Sequence, residues 1–76
     1  MAIIYSDNEQ VVIEIKKLML ESKTTQRKIA TDLNVKPQGI TKLLSKKNFG
    51  FEDAARILST MGYQLQIDFI KAFEQE

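Results

Sequence analysis

Thr25-Gln26-Arg27-Lys28-Ile29-Ala30-Thr31-Asp32-Leu33-Asn34-Val35-Lys36-Pro37-Gln38-Gly39-Ile40-Thr41-Lys42-Leu43-Leu44 is a run in which two short apolar stripes flank a turn signal. Ile29, Ala30 and Leu33 recur at the spacing of one buried helical face, and Ile40, Leu43 and Leu44 repeat the pattern after the turn. Thr25 carries the hydroxyl that an N-cap needs, and Gln26 takes the first helical position. Asn34 ends the first helix, because Asn ranks next to Gly at the left-handed position that closes one, and Val35 is expected to turn back into the core. Pro37 opens the next helix. It lacks an N–H that the first turn would leave unpaired anyway, and its ring forces Lys36 into an extended conformation. Lys36, Gln38, Thr41, Lys42 and Ser45 are left to face outward.

The flanking elements follow from the same signals. Ser6 and Glu9 have the form of a capping box, so a helix is expected over about 7–22. Its wide apolar face comprises Val11, Val12, Ile15, Leu18 and Met19, with Ile13 or Leu20 added, while Glu14, Lys16, Lys17 and Glu21 lie opposite. The central helices are expected over about 25–33 and 37–45. A fourth spans about 51–61, with Ala54, Ala55, Leu58 and Met61 inward and Gly62 as its stop. Glu52 and Asp53 sit where a helix N-terminus favours negative charge. Phe49 and Phe51 read as core residues.

Residues 2–5 and 63–70 read as strands. In the latter, Tyr63, Leu65, Ile67 and Phe69 alternate with Gln64, Gln66 and Asp68. A strand needs partners for its backbone, so the tail is expected to pair with residues 2–5, with its own copy in a second subunit, or with both.

Charge is unevenly distributed. Seven of the eleven Lys and Arg residues fall between Lys23 and Lys47 against Asp32 alone, giving that segment +6 within a chain of net charge +1. Residues 1–22 sum to −2 and residues 48–76 to −3. A positive field on a paired-helix motif attracts phosphate and is the footprint of a nucleic-acid-binding surface.

The Thr25–Leu44 run resembles the helix-turn-helix of the Cro and cI type (XRE-like) phage repressor family. The likeness rests on the Thr25-Gln26 opening, the small Ala30 at the helix crossing, the Leu33-Asn34-Val35 junction and Ile40 two residues after Gln38. It extends loosely from Ile15 through Ile70. Two positions depart from the pattern: Asn34 replaces the usual Gly of the turn, and Lys36 replaces the usual Ser or Thr cap. Gly39 inside a helix costs about 1 kcal/mol relative to Ala, and is either simply tolerated or permits close approach to DNA.

The resemblance implies a mainly α, lambda-repressor-like bundle of four to five helices with a small C-terminal strand. It also implies that the 37–45 helix enters the major groove while the 25–33 helix lies across the backbone. Carried onto this chain, the base contacts are Lys36, Gln38, Thr41 and Lys42: Gln38 to adenine, Lys36 or Lys42 to guanine, Thr41 to a thymine methyl. The phosphate contacts are Thr25, Gln26, Arg27, Lys46, Lys47 and Asn48. The function implied is a transcriptional regulator, a phage-type repressor acting as a homodimer on double-stranded DNA. An antitoxin that grips a toxin protein through its tail or N-terminus is the competing reading.

Composition narrows the remaining classes. At 76 residues the chain makes one small domain, and with neither Cys nor His it has no disulfide, no structural zinc and no near-neutral general base. No cofactor, metal or catalytic residue is expected. The N-terminus lacks a basic leader and no apolar stretch reaches about 18 residues, so a soluble cytoplasmic protein without membrane contact is expected.

Overall fold

Every helix among the described residues starts from a residue with extended backbone. In the computed structural model, which describes residues 2–72, these are Asp7, Thr25, Lys36 and Gly50. They open α1 (Asn8–Glu21), α2 (Gln26–Leu33), α3 (Pro37–Leu44) and α4 (Phe51–Thr60). The fold is mainly α, and among the described residues none forms a strand.

Thr25 caps α2 as its sequence implies: its hydroxyl accepts from Lys28 N–H at 3.1 Å. Pro37 takes the first position of α3, and Lys36 supplies no side-chain cap. At α1 the cap differs from expectation. Asp7 holds the position and accepts from Gln10 N–H at 2.9 Å, while the Gln10 side chain accepts from the Ser6 amide and hydroxyl. The pair Asp7 and Gln10 has the same spacing as Ser6 and Glu9, and a carboxylate gains additionally from the positive helix end.

Three helices end in one hydrogen-bond motif built on three different residues. After α1, Lys23 adopts φ 57° while Thr24 N–H reaches Met19 O and Lys23 N–H reaches Leu20 O. After α2, Asn34 at φ 59° lets Val35 N–H reach Ala30 O. After α4, Gly62 at φ 81° lets Tyr63 N–H reach Leu58 O. This closure satisfies the orphan carbonyls and needs one left-handed residue. Lys is the poorest of the three there, because its Cβ crowds the following carbonyl. Lys23→Gly is therefore expected to stabilise the domain by about 0.5–1 kcal/mol after the extra backbone entropy of Gly is deducted. A thermal melt followed by circular dichroism checks it, and an unchanged or lower midpoint refutes it.

The core draws on all four helices. Val12, Ile15 and Met19 come from α1, Ile29 and Ala30 from α2, Ile40 and Leu44 from α3, and Ala54, Ile57 and Leu58 from α4; Phe49 enters from the α3–α4 loop. α2 packs on α3 and on α4, and α4 also packs on α1. Ala30, 1% exposed, keeps the side chains small where α2 is buried.

Several positions expected inside lie outside. Ile13 and Leu20 are exposed, Leu20 at 80%, because each sits about 100° around α1 from its buried neighbour and α1 has one packed face. Ala55 is exposed for the same reason, and Ile57 takes the inward place on α4. Val35 is 42% exposed and lies over Gly39 instead of entering the core. Of the two phenylalanines, Phe49 is buried, whereas Phe51 is half open and meets Tyr5 edge-on with ring centroids 5.8 Å apart.

That contact explains why the expected pairing of 2–5 with 63–70 within one chain is not formed. Tyr5 fastens the N-terminal arm to the start of α4, and the tail departs from the other end of α4 at Gly62. A ten-residue helix is about 15 Å long, which keeps the two segments apart. Beyond Leu65, which packs against the core, the tail is exposed. The radius of gyration is 14.0 Å, against about 11 Å for a compact domain of this length. The accessible surface is 6415 Å², against about 4,700 Å² for a compact monomer of this mass.

Candidate nucleic-acid interface

The outward residues of α3 begin where Pro37 fixes the helix start. Lys36, Gln38, Thr41 and Lys42 are all exposed, while Ile40 and Leu44 on the opposite side are buried. The helix therefore presents its polar residues away from the core.

One hydrogen bond joins this face to α2. The Thr41 hydroxyl donates to Gln26 Oε1 at 2.9 Å, which brings together residues fifteen apart in sequence. The bond occupies the Gln26 carbonyl oxygen and leaves its amide nitrogen as the outward donor. Gln26, expected at a phosphate, and Thr41, expected at a base, thus form one surface. Thr25 sits beside them, its hydroxyl committed to capping.

The cations divide into tethered and untethered. Lys28 pairs with Asp32 at 2.7 Å, and Lys46 pairs with Asp53 at 3.1 Å. Among the described residues Lys23, Arg27, Lys36, Lys42 and Lys47 have no acidic partner, so most of the positive charge of the 23–47 segment is available to an anion. Arg27, Lys47 and Asn48 are exposed. Lys16, read from the sequence only as part of the outer side of α1, lines one groove with Lys46 and Lys47 between the start of α1 and the α3–α4 loop. No linear charge window finds it, because it lies in a segment of negative net charge.

Lys46 is held by the cap of the next helix. Asp53 accepts from Gly50 N–H at 3.0 Å and from the Lys46 ammonium, so one carboxylate closes the start of α4 and anchors the loop carrying Lys46, Lys47 and Asn48. The Gly50 amide, opposed by burial and then assisted by Lys46 and Arg56, holds the Asp53 carboxyl below its ordinary value of 3.8. A lowered folded-state pKa gives stability that is present above the unfolded value and lost as pH falls through the folded one. Asp53→Asn is expected to cost about 1–2 kcal/mol at pH 7. In urea titrations the difference from wild type is expected to shrink below about pH 4; a difference independent of pH refutes the charged cap.

Gly39 lies exposed on the first turn of α3. A Cβ placed there meets only the Val35 side chain at 3.8 Å, an ordinary contact, so nothing inside the chain demands glycine.

Among the described residues no helix is long and apolar enough to cross a membrane. Compared with protein families, curated proteins and solved structures, the chain shows no significant match.

Proposed function

We propose that the chain is a sequence-specific regulator of transcription that binds duplex DNA as a homodimer through a helix-turn-helix made of α2, the Asn34 turn and α3, in the manner of a phage-type repressor. The observation that carries this reading is the joined surface of α2 and α3. Lys36, Gln38, Thr41 and Lys42 are exposed together, and Thr41 is hydrogen-bonded to Gln26 at the start of α2.

Its parts have distinct chemistry. The first turn of α2 offers unpaired amide N–H groups and the positive end of a helix to a phosphate, with the Gln26 amide and Arg27 beside it. The N-cap and first turns of α3 offer the Gln38 amide, the Thr41 methyl, whose hydroxyl is held by Gln26, and the Lys36 and Lys42 ammonium groups to base edges in the major groove. Gly39 leaves part of that face without a side chain, which favours close approach of the duplex. Lys47 and Asn48 flank it as phosphate contacts that set register without reading sequence. Two copies related by a two-fold axis then call for a palindromic operator with half-sites about 34 Å apart, or a multiple of one helical turn.

Fluorescence anisotropy of duplexes from the chain's own promoter, titrated across a series of salt concentrations, tests the reading. Affinity is expected to fall steeply with salt, and Lys47→Ala is expected to weaken every duplex alike and flatten the log–log slope by about 0.9. Binding to single strands as tight as to duplex, or binding indifferent to salt, sinks it.

A further inference from the structure

Lysines from two separate parts of the chain line one groove. Lys16 comes from the middle of α1, whereas Lys46 and Lys47 follow the end of α3. Asn8 and Glu9, from the first turn of α1, complete its polar lining, and the buried Phe49 also borders it. The groove holds about 440 Å³, within the size range of small-ligand sites.

Its donors are largely free. Among the described residues neither Lys16 nor Lys47 has an acidic partner, although the neighbouring Lys17 turns to Glu14 at 3.2 Å. Lys46 is paired with Asp53, but an ammonium has three hydrogens and keeps donors to spare. The Asn8 carbonyl oxygen accepts from the Tyr5 hydroxyl at 2.6 Å, which leaves the Asn8 amide nitrogen to donate elsewhere. Against these groups the groove sets one carboxylate, Glu9, which is exposed.

We propose that this groove is a phosphate seat, with Lys16 as the cation that α1 contributes. Donors arriving from α1 and from the α3–α4 loop suit an anion whose oxygens are spread around one centre; a carboxylate presents two oxygens in a single plane. Two sources supply that chemistry: the backbone of a duplex and a phosphorylated small molecule. For the first, the inference rests on the DNA reading above and adds a third element, α1, to its footprint. The eight residues of α3 rise about 12 Å, comparable to the width of the major groove, so a duplex read at the start of α3 has a backbone near the groove at its end. For the second, the seat stands without DNA.

Nuclear magnetic resonance of the isotope-labelled chain with inorganic phosphate, and salt-series anisotropy with promoter duplexes, test the two sources. Phosphate is expected to shift the Asn8 side-chain amide and the backbone amides of Lys47 and Asn48 until they saturate, and chloride at equal ionic strength to leave them in place. Lys16→Ala is expected to weaken phosphate about tenfold. Glu9→Gln is expected to tighten it by removing the opposing charge. Lys17→Ala deletes the same charge one position away and is expected to change phosphate affinity by less than about twofold. With duplex, Lys16→Ala is expected to weaken every sequence alike and flatten the log–log slope by about 0.9, while Lys17→Ala leaves the slope as it is. Circular dichroism is expected to be unchanged in each variant, because Glu9, Lys16 and Lys17 are all exposed.

A Lys16-dependent response to either probe supports the seat and names its source. Indifference of both probes to Lys16→Ala overturns it, as does an equal loss in Lys17→Ala, which reports bulk charge alone. A chain that ignores duplex yet binds phosphate through Lys16 sinks the DNA reading and leaves this one standing; duplex binding that depends on Gln38 but on neither Lys16 nor phosphate does the reverse.

Discussion

Phe49→Ala is expected to cost about 3–5 kcal/mol, the usual range for emptying a buried aromatic site. Phe49 is 1% exposed and among the largest fully buried side chains, although it lies on a loop. A domain of this length has a total stability of roughly 4–11 kcal/mol, so the variant sits near or past its unfolding threshold at room temperature. The consequence reaches the interface, because the α3–α4 loop that Phe49 anchors carries Lys46, Lys47 and Asn48. Phe51→Ala supplies the contrast. Phe51 is partly open and its contact with Tyr5 is worth about 1 kcal/mol beyond burial. Urea denaturation followed at 222 nm checks both, and equal losses at the two positions refute the division between a buried anchor and a surface pair.

Under the proposed DNA-binding function, Gln38→Ala is expected to reduce discrimination at one operator position by about 1–3 kcal/mol, or roughly 5- to 150-fold, while leaving the affinity for non-specific duplex nearly unchanged. The reason is geometric. Gln38 stands on the exposed first turn of α3, whereas the other glutamine of the region, Gln26, has its carbonyl committed to Thr41. A free amide can donate to and accept from the same base edge; a half-committed one cannot. Competition binding on a set of single-substitution operators reads the effect as a relaxed preference at one base pair in each half-site. A uniform loss across all operators would falsify the role assigned to Gln38. Lys46→Ala serves poorly as the phosphate control, since it also breaks the pair with Asp53 at the start of α4; Lys47 is the cleaner choice.

Much of the helical framework was legible in the residues. Thr25, Asn34, Pro37 and Gly62 each mark a helix end through hydrogen bonds or dihedral angles that span only a few positions, and the observed boundaries fall within a residue or so of those expected. The buried faces were legible only in outline. Periodicity names the centre of a stripe such as Val12, Ile15 and Met19 but not its width, which depends on how much of the helix a neighbour covers; Ile13, Leu20 and Ala55 lie beyond that edge. At the interface, the outward placement of Lys36, Gln38, Thr41 and Lys42 followed from the helical period. The pairing of Lys46 with Asp53 and the groove that joins Lys16 to Lys47 did not, because both bring together residues from different elements.

What the residues determined by themselves was therefore local: where each helix starts and stops, which side of α3 is polar, and where positive charge accumulates. Those properties follow from single dihedral angles, caps and a fixed 3.6-residue period. Only the tertiary structure decided that Lys46 is tethered to Asp53 across the α3–α4 loop, that Gln26 is bound to Thr41, and that the tail remains unpaired within its own chain. Each of these depends on distances between different elements, and such distances exist only once the helices have packed.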